Sequence, residues 1–339
     1  MSSNNASTHR LSTFRYDATH QTFIQKSALR ELGPNEVLIK TTHSGICFTD
    51  VHAKEKGCGL GHEGVGRVEK VGLAVNAFES GDRAGWGWLH HSCGRCKVCV
   101  EGYRQYCSEA RGFAFGELDQ GAFGDYAIWN QDFVYHIPDQ ISSIHAGPFM
   151  CAGASVYEAL DAANTKSSDR VGVVGIGGLG HMAILFARAM GCAVTAFSRT
   201  DTKEADARAL GVDTFINPDS PEKIAKNNAI DVVLLCSNGI TSLEPFLPYL
   251  ARRARLVLMT IQQGPVTVPY MPFVLPGHQI IASTEASRKN HIAMLEFVVR
   301  HNITPWVQTF PMTAEGVAEA FSTLEKGQMR FRGVLARSD

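Results

Sequence analysis

The segment DRVGVVGIGGLGHMAILFARAMGCAVTAFSR, residues 169–199, decides the fold. It reads as a strand, a glycine turn, a helix and a second strand. Gly175, Gly177 and Gly180 form G-x-G-x-x-G after the strand RVGVV and at the head of the helix. The first glycine permits a tight turn. The second lets the backbone approach a pyrophosphate, and the third packs helix on strand. Gly178 and Leu179 lie between them, at a helix N-terminus whose free N–H groups face the phosphates. The motif is weak alone, but its strand–turn–helix context is the right one for a dinucleotide.

Which dinucleotide is read at the end of the second strand. An acid about 20 residues after the glycines would grip a ribose 2′-hydroxyl. Ser198 and Arg199 stand there instead, and Lys203 follows one helical turn later. A hydroxyl and two cations suit a 2′-phosphate, which a carboxylate would repel. The expectation is NADP(H); the plainer alternative is that Arg199 and Lys203 only solvate a helix start. Downstream, RALGVDTFI (208–216), IDVVLLCS (230–237) and RARLVLMT (253–260) add apolar strands between helical stretches. That alternation predicts a doubly wound parallel α/β sheet, the Rossmann arrangement.

Upstream the pattern differs. NEVLIKTTHSGI (35–46), VGRVEKVG (65–72) and DYAIWN (125–130) are short, glycine-punctuated and β-rich. The first domain is therefore expected to be mainly β over 1–147, with residues 1–12 as a frayed polar leader and the nucleotide domain over 148–284. From 285 onward, two amphipathic helices and a closing strand lie outside the minimal nucleotide fold, so 285–339 is assigned back to the first domain.

The cysteines are the second sharp signal. There are nine, and four crowd into SCGRCKVCVEGYRQYC (92–107): Cys93, Cys96, Cys99 and Cys107. Two-residue gaps let turns aim successive thiolates at one point, and a four-thiolate tetrahedral zinc leaves no open position. This predicts a structural zinc lobe. An odd cysteine count without a secretory leader argues against a disulfide scaffold.

Composition narrows the function. The chain has 339 residues, with 32 Lys plus Arg against 33 Asp plus Glu, a formal charge of −1. No excess positive charge exists for nucleic acid or an anionic membrane surface. Apolar runs are too short for a membrane span. Neither end carries a recognised address. The chain is expected to be soluble and cytoplasmic.

Three further segments offer soft or imidazole ligands: Cys47 in GICFTD, His62 in GHEGVG and Cys151 in CAGASVY. Two thiolates, one imidazole and a water make an open catalytic zinc, but spacing alone does not join residues so far apart. Together with the glycine loop and the cysteine lobe, in order from about residue 20, they resemble the zinc-dependent medium-chain alcohol dehydrogenase/reductase family, nearest its cinnamyl-alcohol-dehydrogenase branch. The resemblance implies a GroES-like catalytic domain, two zinc ions per chain and a homodimer. It implies that Cys47, His62 and Cys151 bind the catalytic zinc, with Glu63 behind the metal or swinging in. Thr49 would hydrogen-bond the substrate oxygen, Asp50 orient a ligand and His52 pass the proton to solvent. Arg332 would reach the pyrophosphate. Phe48 and Trp88 would line the substrate pocket, although Trp88 fits a core equally well; His181 would touch phosphate or merely cap structure.

The implied reaction is reversible hydride transfer between NADPH and a primary aliphatic or aromatic aldehyde. A C=C or C=N reductase on the same scaffold is the alternative, and a non-catalytic NADPH-binding protein a distant one. Two departures stand out. Cys47 and His62 are only 15 positions apart, a loop several residues shorter than in relatives, so an open cleft is expected. Cys58 in that loop would be a loop residue or a further thiolate near the metal.

Overall fold

The computed structural model describes residues 7–218 and 229–337. The chain divides into two compact units. One is built from Met1–Cys151, Ser287–Arg300 and Trp306–Asp339; the other from Ala152–Ala286 and His301–Pro305.

The second unit holds a six-stranded, wholly parallel sheet. Its strands in chain order are Arg170–Val174, Ala193–Phe197, Thr214–Ile216, Ile230–Leu235, Leu250–Leu258 and Gln279–Ala282. In space they run third, second, first, fourth, fifth, sixth, the Rossmann order. The strands are apolar on both faces because helices cover both: Val171, Val173, Val194, Val233 and Leu256 are all fully buried. The order reverses between the first and fourth strands, which opens a crevice at their C-terminal ends.

The first unit is centred on the strand Glu36–Ile46. It pairs antiparallel with Glu63–Val71, Tyr126–Asn130 and the C-terminal strand Arg332–Ala336. The last pairing matters most for function, because it sets residue 332 beside the strand that leads into Cys47. A three-stranded sheet of Leu89–His91, Arg111–Phe113 and Gly116–Glu117 adjoins the cysteine-rich segment.

One expectation fails here. Residues 1–12 do not form a frayed leader throughout: Thr8–Asp17 is a strand paired along its length with Thr22–Glu31. Residues 1–6 lie outside the described residues. Leu11 and Thr13 are buried on one face and Phe14 on the other, while the rest of the strand is half-buried or exposed and polar. A polar segment with few apolar anchors gave no alternation strong enough to read.

Candidate metal centres and nucleotide site

Two groups of metal-capable side chains converge among the described residues, and their donor atoms lie within 4.8 Å of one another: Cys93, Cys96, Cys99 and Cys107; and Cys47, His62, Glu63 and Cys151.

The first group is local. The short helix Lys97–Val100 starts directly after Cys96. Backbone N–H groups aim at the sulfurs: Cys96 N donates to Cys93 Sγ at 3.4 Å, Cys93 N to Cys107 Sγ at 3.5 Å and Glu109 N to Cys107 Sγ at 3.4 Å. The N–H groups of Arg95 and Cys96 bring the Cys93 thiol down to about 6. The Cys99 N–H draws Cys96 down, but burial and the three neighbouring sulfurs outweigh it and push Cys96 up to about 12. Four thiols so placed cannot all ionise without a cation between them. The donor set therefore fits a closed tetrahedral Zn²⁺.

The second group is assembled from three segments. Cys47 is the N-cap of the helix Phe48–Ala53. Its Sγ accepts the Thr49 N–H at 3.3 Å, and the Asp50 carboxylate accepts the Cys47 N–H at 3.0 Å, a reciprocal capping box. Asp50 is fully buried. It also accepts the Gly61 N–H at 3.0 Å and stands 3.2 Å from His62 Nδ1. That contact holds a proton on Nδ1 and turns Nε2 to the metal side, 3.3 Å from Cys47 Sγ. Cys151 comes from Phe149–Gly153, one wide π-turn between two α-helical stretches, a local unwinding common at functional sites. A hydrogen bond from Cys151 draws the Cys47 thiol well below its ordinary value against the effect of burial, with His62 and Arg332 adding to it. Burial pulls His62 down, but Asp50 and Cys47 outweigh it and hold the ring well above 6.5 in the metal-free state. Two cysteine sulfurs, one imidazole and a buried carboxylate suit a Zn²⁺ with an open position.

Behind these ligands lies a buried ion pair. Glu63 is 0% and Arg332 4% exposed. Arg332 Nη2 donates to Glu63 Oε1, while Glu63 Oε2 is buried and has no hydrogen-bond partner among the described residues. Burial lifts Glu63 to about 7 against the pull of Arg332. The fit is close: a Cβ on Gly45 would stand 1.9 Å from Glu63 Oε2. The expected pyrophosphate role of Arg332 meets a different observation, since its guanidinium is turned to Glu63. A buried carboxylate requires a buried counter-charge. Sequence reasoning missed this pair, the need for glycine at position 45, and Phe113, whose ring stacks on His62 at 4.9 Å between centroids.

The remaining residues are placed as follows. Thr49 is half-buried in the first turn after Cys47, and Phe48 and His52 are exposed. Trp88 is half-buried, 6.2 Å from the Phe115 ring. Cys58 is fully buried in an apolar cluster with its Sγ toward Ala53 O, and it is absent from the metal-capable group. Burial raises its thiol, so it is a packed loop residue.

In the second unit Gly175 has φ +89°, and a Cβ on Gly180 would lie 1.9 Å from Gly175 O. Both positions demand glycine. At Gly177 a Cβ would meet nothing within 4 Å, so the space over the loop is open. No side chain caps the helix Gly178–Ala189, which leaves its first N–H groups for an anion. Ser198, Arg199 and Lys203 follow the adjacent strand. Lys203 Nζ donates to Ile176 O at 2.9 Å, within the loop, and Arg199 is exposed. His181 is fully buried, with Nδ1 2.9 Å from Gly178 O.

The chain is similar to known proteins over most of its length. Residues 33–139 match the alcohol dehydrogenase GroES-like domain family, and residues 178–300 the zinc-binding dehydrogenase family. Cinnamyl alcohol dehydrogenase 8 of Arabidopsis thaliana is 32% identical, over 90% of this chain and 89% of its own. The aldehyde reductase AdhA of Synechocystis is 32% identical, over 91% and 93%. A cinnamyl alcohol dehydrogenase of Helicobacter pylori, solved with NADP(H), superposes with a TM-score of 0.85 at 25% identity, covering 97% of this chain and 99% of its own.

Proposed function

Because the chain belongs to the zinc-dependent medium-chain alcohol dehydrogenase family, in its cinnamyl-alcohol-dehydrogenase-like branch, we propose that it interconverts primary aldehydes and alcohols with NADP(H). The observation that carries this reading is the convergence of the donor atoms of Cys47, His62, Glu63 and Cys151 within 4.8 Å, with Thr49 in the first helical turn after Cys47. When bound, Zn²⁺ supplies Lewis acidity to the substrate oxygen and the nicotinamide carries the hydride.

The chain's own residues do the rest. Cys47, His62 and Cys151 hold the metal, and Asp50 fixes the His62 ring. Glu63 and Arg332 keep a charge-balanced wall behind it. The Thr49 hydroxyl binds the substrate oxygen and passes its proton toward exposed His52. Cys93, Cys96, Cys99 and Cys107 hold a second zinc of structural role. Residues 1–147 with 285–339 are assigned to the catalytic half and 148–284 to the nucleotide half; the compact units differ in placing Cys151 in the first and His301–Pro305 in the second. Ser198, Arg199 and Lys203 select the 2′-phosphate. The H. pylori relative solved with NADP(H) supports that preference, and the aldehyde reductase of Synechocystis supports the substrate class.

A homodimer suits the second unit's open sheet edge. Gln279–Ala282 pairs with Leu250–Leu258 in the sheet's terminal position. Tyr270, Met271, Leu275 and Ile280 nearby in sequence are 75%, 55%, 69% and 43% exposed. No helix among the described residues is long and apolar enough to cross a membrane.

The test couples metal content to turnover. The purified protein should carry two zinc ions per chain and oxidise NADPH with an aldehyde panel, more readily than NADH. Substituting Arg199→Ala should raise the KM for NADPH about tenfold and leave that for NADH nearly level, through loss of a charge-assisted phosphate contact. Zinc without turnover of any aldehyde would overturn the reading in favour of a C=C or C=N reductase.

A further inference from the structure

The loop between Cys47 and His62 is short, and its geometry organises an exposed strip. Phe48–Ala53 is helical and Lys54–Lys56 continues as a 3₁₀ turn, ended by Gly57 at φ +70°. Residues four apart on an α-helix share a face, so Phe48 and His52 stand together, 6.4 Å between ring centroids, and Lys56 follows in the 3₁₀ turn. All three are exposed. Asp50 and Ala53 point inward, and Lys54 is engaged with Glu325 at 2.7 Å.

A second line of aromatic side chains leads to the same point. Gly112 and Phe115 close a tight turn through reciprocal backbone hydrogen bonds of 2.9 Å. The turn sends Phe113 inward onto His62 and Phe115 outward, 61% exposed. Trp88 lies beside Phe115, and its carbonyl accepts the Phe113 N–H at 3.0 Å. Lys56 Nζ stands 3.7 Å from the Phe115 ring centroid. Arg111, also exposed, packs its stem over Gly116. Among the described residues no carboxylate forms an ion pair with Lys56 or Arg111; Asp119 of the same loop is turned to Arg15 at 3.8 Å.

An exposed aromatic ring with an uncompensated ammonium over its face is a recognition surface for a flat group bearing negative charge. Phe113 ties this pair to the metal ligands: its ring stacks on His62 at 4.9 Å, and Phe115, two residues on, has Lys56 Nζ 3.7 Å from its ring centroid. A ligand reaching from the metal to Lys56 thus spans roughly 10–15 Å, an aromatic ring plus a side arm. We propose that Phe115 and Lys56 form a specificity subsite that favours aromatic aldehydes and alcohols carrying an anionic substituent at the ring end away from the reacting carbon. This inference rests on the aldehyde–alcohol reading above and names its substrate class.

The experiment compares cinnamaldehyde with 4-carboxycinnamaldehyde, using NADPH and the full-length zinc-loaded protein. The wild type should favour the carboxylated aldehyde in kcat/KM. Lys56→Gln should lower that preference about fivefold, carried by KM rather than kcat, which is the size of one partly exposed ion pair. Lys56→Arg should retain it, Phe115→Leu should weaken it, and added salt should erode it. An equal preference in wild type and Lys56→Gln overturns the subsite while leaving the aldehyde reading intact. If the wild type turns over neither aldehyde, the aldehyde reading falls by itself. The subsite is then decided by tryptophan-fluorescence titration with 4-carboxycinnamyl alcohol: weaker binding to Lys56→Gln supports it, and equal binding overturns it.

Discussion

The two metal-capable clusters solve the same electrostatic problem in opposite ways. The cysteine lobe spans fourteen positions and is half-exposed at three of its four ligands. It gathers negative sulfur with backbone N–H groups, supplied by the turns that create the spacing. The second cluster spans 104 positions from Cys47 to Cys151, and Cys47, His62 and Glu63 are buried. It relies on side chains brought from elsewhere: Asp50 on His62, and Arg332 on Glu63. A closed site can be written locally, because nothing needs to approach it. An open, reactive site needs burial and a tuned field, and these come only from tertiary structure.

The largest expected effect tests that division of labour. Cys47→Ser should remove one zinc of two and lower aldehyde turnover at least about a hundredfold, the scale of a lost Lewis acid. Circular dichroism and the remaining zinc should be near wild type. Cys99→Ser should do the reverse to the metal count, emptying the lobe and lowering the Tm, because a structural metal's binding energy is folding energy. Loss of both metals in either variant would mean that the sites are not separate.

Next in size is the buried pair. Arg332→Met leaves a buried Glu63 without its counter-charge, at a cost of about 3–5 kcal/mol in denaturant unfolding. The double variant Glu63→Gln with Arg332→Met should recover most of that loss. Gly45→Ala should cost less, about 1–3 kcal/mol, since its Cβ meets Glu63 Oε2 and forces a local shift. An unaltered Gly45→Ala protein would show that Glu63 has room to move aside.

The smallest effect is in pH, and the His62 and Cys93 contributions should slope oppositely without metal. His62 is held above its free value of 6.5. It stabilises the metal-free fold below that pH, and the gain is lost as pH rises through the raised value. Cys93, lowered from 9.0 to about 6, stabilises above 9 and loses that gain as pH falls through 6. In denaturant unfolding of the metal-free protein, His62→Gln should remove the part of the stability that falls as pH rises, and Cys93→Ser the part that falls as pH drops toward 6. Parallel pH profiles would remove the distinction.

The same contrast explains what could be read from the sequence. The glycine loop, the strand alternation over 169–260 and the cysteine lobe were legible because each is a local pattern with a local physical cause. Cys47, His62 and Cys151 were individually visible as ligand types, but only the family resemblance joined them. The fold brings them together through the pairing of Glu36–Ile46 with Glu63–Val71 and a single wide helical turn at Cys151. The Glu63–Arg332 contact joins residues 269 positions apart, and neither residue type announces the other. Nothing in the sequence around Phe113 sets it apart from a core aromatic. The Thr8–Asp17 strand was hidden by its own polarity.

The distance between Glu63 and Arg332 along the chain has a consequence for biogenesis. At ~5–20 residues per second, roughly 13–54 s of translation separate the two residues. Throughout that interval a nascent chain has Cys47, His62 and later Cys151, but lacks the guanidinium that balances them. The final strand supplies it last, pairing between Glu36–Ile46 and Val307–Pro311. A chain cut short before residue 332 would hold every ligand and no counter-charge for Glu63.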